Sequence, residues 1–141
     1  MPTFDSMSML HHLSFAVVDL AHSAAFYDAV LAPIGYVRLW THEPGAGYKE
    51  AAVGYGLPGT EDEFAIRLRS QGGVVSSDGF HVAFRARSRE AVAAFYRAAL
   101  EKGGRDNGGV GSHPEYGPNY FAAFVFDPDG HRIEAVLDEP A

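Results

Sequence analysis

His81-Val82-Ala83-Phe84 repeats His12-Leu13-Ser14-Phe15 at an offset of 69 residues, and the match continues without a gap. Ala93-Ala94-Phe95-Tyr96 falls on Ala24-Ala25-Phe26-Tyr27, then Ala98 on Ala29, Leu100 on Leu31 and Gly104 on Gly35. A shared offset through an alternating apolar segment, an amphipathic segment and a glycine stop marks a duplicated unit, and a missed duplication misassigns the fold. Each copy starts with period-two alternation, passes into apolar residues three and four apart, and ends on glycine.

The elements read outward from these anchors. In the first copy a strand is expected over Leu10 to Val18 and a helix over Leu20 to Ala32, stopped by Pro33 and Gly35. Strands follow at Tyr36 to His42, Tyr48 to Tyr55 and Phe64 to Ser70. In the second copy Phe80 to Arg87 is the strand, and Ser88 caps a helix whose early Glu90 suits the positive end of the dipole. A weak strand near Gly104 to Asn107 precedes strands at Tyr120 to Asp127 and His131 to Leu137, and Asp127-Pro128-Asp129-Gly130 has the residue chemistry of a hairpin turn. Gly108 to Pro118 reads as a long loop and a candidate lid. The chain therefore reads as one α+β domain of two βαβββ modules, about 10–70 and 80–138, joined by a linker at 71–79.

Composition narrows the function. A chain of 141 residues is the size of one domain that buries its own core. It has no cysteine, which excludes disulfides, thiolate metal sites and a cysteine nucleophile. Eleven basic against eighteen acidic residues leave a net charge of −7, so nucleic acid is not an expected partner. The N-terminal residues have neither a basic start nor an apolar run, and no stretch is long enough to span a membrane. A cytoplasmic protein is expected.

Two βαβββ copies with histidine at the head of each, Phe-Tyr in each helix and a final Asp127-Pro128-Asp129-Gly130-His131-Arg132-Ile133-Glu134 hairpin resemble the vicinal oxygen chelate superfamily, which includes glyoxalases, extradiol dioxygenases and bleomycin resistance proteins. The resemblance runs from Leu10 to Leu137 and implies a cup-shaped mixed sheet flanked by helices. It implies a divalent metal ion (Fe, Mn, Ni or Zn) on residues of the first and fourth strands, here His12, His81 and Glu134. Two imidazoles and one carboxylate leave open positions for a substrate's adjacent oxygens. The fourth position falls on Ala65 by the repeat, or on Arg67 after a two-residue loop difference, and neither binds a cation.

Arg67 has a second reading, as a guanidinium that holds an anionic substrate group or pairs with Glu134. His11 is expected on the opposite strand face from His12, outside the cup, and Phe26-Tyr27 and Phe95-Tyr96 are expected in the core. Tyr116, Tyr120 and His113, in or beside the glycine-rich loop, are candidates for substrate contact and proton transfer, with Glu134 sharing the catalytic role. Trp40 and Tyr48 are candidates for the facing wall. Two functions follow: a metal-dependent lyase, isomerase or dioxygenase acting on a small molecule with vicinal oxygens, and a metal-free protein that sequesters a small molecule. The resemblance also implies a homodimer, in which the partner chain could complete the cup.

Overall fold

A computed structural model of the protein describes residues 9–44, 50–69, 75 and 77–139. The first module is β1 (Leu13–Val17), α1 (Leu20–Leu31), a 3₁₀ turn (Ala32–Ile34), β2 (Val37–His42), β3 (Ala52–Gly56) and β4 (Phe64–Leu68). The second is β5 (Val82–Arg85), α2 (Arg89–Glu101), β6 (Arg105–Ser112), β7 (Tyr120–Phe126) and β8 (Arg132–Asp138). They form two separate four-stranded mixed sheets, ordered β1-β4-β3-β2 and β5-β8-β7-β6, each with one parallel pair.

The offset of 69 is kept by the structure itself. Ser14 pairs with Ala65 in β1 and β4, and Ala83 pairs with Glu134 in β5 and β8. The helices start at Leu20 and Arg89, and their caps stand at the same offset. Asp19 Oδ1 accepts from His22 N at 3.0 Å, and Ser88 Oγ accepts from Ala91 N at 3.0 Å. Each cap satisfies an amide that the first helical turn leaves without a partner. Gly35, at φ +97°, closes the first helical stretch in the left-handed conformation that glycine adopts without strain.

The strand β6 overturns part of the expected loop, because it runs on through Gly108 to Ser112. Its ladder to β7 shifts register between Asp106 and Gly109. At this bulge the Asp106 carboxylate accepts from the amides of Gly108 and Gly109, whose φ values are +136° and +74°. The glycines are thus bulge residues within a strand. The irregular segment between β6 and β7 shrinks to 113–119.

The core spans both modules. Phe26, Tyr27, Phe64 and Ile66 from the first and Phe84, Phe95, Ile133 and Leu137 from the second form one cluster, with Phe64 and Phe84 edge to face at 5.2 Å. The Asp127–Gly130 turn then fastens its module to the first. Tyr27 donates to Asp127 at 2.7 Å, Val18 N donates to Asp129 at 3.1 Å, and His131 Nε2 donates to Ala16 O at 2.8 Å while its ring stacks on Phe15.

Candidate functional site

The face of the second sheet turned away from the helices carries Glu134. Alternation along β8 sends Ile133 and Ala135 into the core and Glu134 to the other side, between Ala83 of β5 and Phe124 of β7. Only 1% of Glu134 is exposed, and a carboxylate so placed requires hydrogen bonds to offset its desolvation. It has one, from the Tyr120 hydroxyl to Oε2, and His81 Nε2 lies 3.1 Å from Oε1, within ion-pair distance. Burial, and then the neighbouring Glu134 carboxylate, raise the Tyr120 hydroxyl well above its ordinary pKa, so Tyr120 is held as a donor. The His81 side chain stays 54% exposed and stands between Glu134 and solvent.

An aromatic wall adjoins this group. The Tyr116 ring meets Tyr120 at 5.3 Å, His113 stacks on Tyr116 at 5.6 Å, and His113 stands edge-on to Phe124 at 5.1 Å. His113 Nδ1 also lies 3.3 Å from Glu115 Oε2. Five of the residues nominated from sequence, His81, His113, Tyr116, Tyr120 and Glu134, therefore gather on one sheet face. Phe124 was missed by sequence reasoning; its signal is the four-residue spacing from Tyr120, which puts both on one strand face. A cavity of about 130 Å³ opens beside His81 and Phe124.

The first sheet presents a different row. Ser14, Ala65, Gly54 and Trp40 lie opposite one another across its strands. The Trp40 indole lies so close over Gly54 that a Cβ there would fall 2.2 Å from the ring; it stacks on His42 at 3.9 Å and donates to Asp62 at 3.2 Å. Arg67 shares the face of Ala65 but pairs with Glu50 at 2.7 Å, half exposed, and not with Glu134. His12 lies in an exposed pair with His11, Nδ1 to Nδ1 at 2.9 Å, and His11 reaches Glu61 at 3.3 Å. The expected opposition of His11 and His12 fails because β1 starts only at Leu13, so strand alternation does not govern them. Tyr48 lies outside the described residues.

Within one chain His12 does not join His81 and Glu134: among the described residues, no three His, Asp or Glu side chains gather to hold a metal ion. The residues present fit half of such a site. His81 Nε2 and Glu134 Oε1, 3.1 Å apart, have the separation of adjacent donors at bond lengths of roughly 2.1 Å. The position related to Glu134 by the repeat is Ala65, which offers no donor.

Paired βαβββ modules with histidine and carboxylate on a sheet face define the class of the vicinal oxygen chelate proteins. The family description "Glyoxalase/Bleomycin resistance protein/Dioxygenase superfamily" matches residues 9–135, and the chain belongs to this superfamily. It is 39% identical over 129 residues, covering 90% of both chains, to the lactoylglutathione lyases of Salmonella typhimurium and Salmonella typhi. Its structure is similar to a glyoxalase/bleomycin resistance protein from Albidiferax ferrireducens, with a TM-score of 0.74, 29% identity and coverage of 94% of this chain and 100% of that one. It also shares its fold with a mutant of the fosfomycin resistance protein FosX from Listeria monocytogenes in complex with Mn(II) and 1S,2S-dihydroxypropylphosphonic acid, at TM-score 0.69 and 15% identity, over 94% of each chain.

Proposed function

We propose that the chain is an enzyme of lyase or isomerase type, in which Glu134 takes and returns a proton on a small substrate with adjacent oxygens. The observation that carries this reading is the buried Glu134 carboxylate, held by Tyr120 on one oxygen and screened from solvent by His81 on the other. Tyr120 fixes the carboxylate plane, so that Oε1 is the oxygen directed to the open side. His81 is the group a substrate meets first, and its imidazole, with a nitrogen on each side of the ring, can relay a proton between Glu134 and solvent. Tyr116, His113 and Phe124 form an aromatic wall beside the reacting carbon, and His113 is a second route for the proton.

A divalent ion held by His81 and Glu134, with His12 from the second chain of a homodimer, would act as a Lewis acid on the substrate's oxygens. The name of the relatives at 39% identity favours lyase chemistry over dioxygenation. Protein purified without chelator, loaded in turn with Zn(II), Ni(II) and Mn(II), should isomerise the hemithioacetal of methylglyoxal and glutathione. Glu134→Gln should lower kcat by about 10²–10⁴-fold, the range of a lost general base. His81→Ala should reduce metal content. Turnover unchanged in Glu134→Gln, or absent from every loaded form, would overturn the proposal. One observation favours a second reading, of a metal-free protein that sequesters a small molecule: Ala65 stands where the repeat calls for a fourth donor.

A further inference from the structure

Beyond His81, the same side of β5 continues through Ala83 and Arg85 to Arg87, two residues past the strand's end. Arg85 is about 13 Å from His81 at the usual rise per residue. Both arginines line a cavity of about 250 Å³ at the seam between the modules, whose other walls are Ile34, Tyr36, Leu57 and Glu63. This cavity adjoins another of about 180 Å³ beside His12, with Tyr36 and Glu63 common to both.

Most of the other arginines are engaged. Arg38, Arg67 and Arg69 face Asp28, Glu50 and Asp129, and Arg89, Arg105 and Arg132 lie over aromatic rings. Among the described residues, neither Arg85 nor Arg87 has a carboxylate within ion-pair distance. The one carboxylate in the cavity wall, Glu63, lies near the Tyr36 hydroxyl, which burial and then this negative charge push up to about 12. Two free guanidiniums against an apolar and aromatic wall are an exception in a chain of net charge −7. Such a fork suits a carboxylate or phosphate.

We infer that this seam cavity binds a small amphipathic anion, with its carboxylate or phosphate on Arg85 and Arg87 and its hydrocarbon body against Ile34, Leu57 and Tyr36. The arginines follow Ala83, the residue paired with Glu134, along the same strand side, and anion binding there does not use the chemistry assigned to Glu134. The cavity lies just below the usual ligand-pocket range of about 300–1,000 Å³, which limits the occupant to a small molecule.

Calorimetric titration of the full chain with 3-phenylpropionate, phenyl phosphate and the neutral 3-phenylpropanol tests the site. Both anions should bind at least tenfold more tightly than the alcohol, and their affinity should fall as NaCl is raised. Arg85→Gln combined with Arg87→Gln should weaken anion binding at least tenfold, and Leu57→Trp, which fills the apolar wall, should do the same. Glu134→Gln should leave it unchanged. Wild-type affinity in the double variant, equal binding of the alcohol, or loss of binding in Glu134→Gln would each overturn the assignment. Arg87→Gln alone, compared with wild type at matched thermal stability, keeps the test decisive if the double variant is less stable.

Discussion

At the scale of single residues, the site turns on how the Glu134 carboxyl is oriented inside a sheet face. Removing its donor with Tyr120→Phe leaves one buried carboxylate oxygen without a partner, which costs about 1–3 kcal/mol, read as a lowered midpoint in urea unfolding. Tyrosine ionisation also sets an alkaline limit. Burial first and Glu63 second raise the Tyr36 hydroxyl to about 12, and Tyr27, Tyr55 and Tyr120 are raised in the same direction. A pKa raised in the folded state favours the neutral form, so this stability is complete below about pH 10 and is lost as pH climbs through the folded value. Urea midpoints should therefore fall as pH rises from about 10 to about 12, and Tyr36→Phe should flatten part of that slope. Equal midpoints across the range would refute the assignment. Glu134 was legible in the sequence because strand period and the repeat both bear on it, His81 because of the repeat, and Tyr120 only because it stands beside the glycine-rich loop. The choice between Ala65 and Arg67 was not, since it rests on the register of β4 against β1, and that register pairs Ala65 with Ser14.

At the scale of elements, both helices were readable from their apolar spacing and their stops, and the second also from its Ser88 cap, whereas β6 was not. Glycine-rich sequence ordinarily signals a loop. Here the glycines accommodate a bulge closed by the Asp106 carboxylate, a pairing that only the partner strand reveals. The stop after α2 shows how tight the element junctions are. A Cβ at Gly104 would fall 2.7 Å from Phe126 O, 2.8 Å from the Phe26 ring and 2.9 Å from Ala99 O. Two of these are backbone atoms that cannot rotate away, so Gly104→Ala should destabilise by about 1–3 kcal/mol, measurable as a drop in Tm. Gly111→Ala, where a Cβ meets nothing within 4 Å, is the matched control.

At the scale of the whole molecule, the two modules were legible but their mutual placement was not, because a repeat states what each copy is and not how the copies meet. Sequence puts His12 and His81 in equivalent positions; the fold leaves them beside separate sheets. What joins the modules is the cluster at the seam, where Tyr27 donates a buried hydrogen bond to Asp127. Tyr27→Phe strips a donor from the buried Asp127 carboxyl and should cost about 1–3 kcal/mol. Because one core serves both modules, unfolding should remain a single transition that shifts as a whole by fluorescence and circular dichroism. Two separated transitions in the variant would show that the modules hold together less firmly than the shared core implies. The seam also bears on how the protein is made. Its contacts span 100 residues between Tyr27 and Asp127 and 115 between Ala16 and His131. The ribosome must therefore deliver nearly the whole second module before the first can close its polar edge, and until then the nascent helix α1 offers an uncovered face to chaperones.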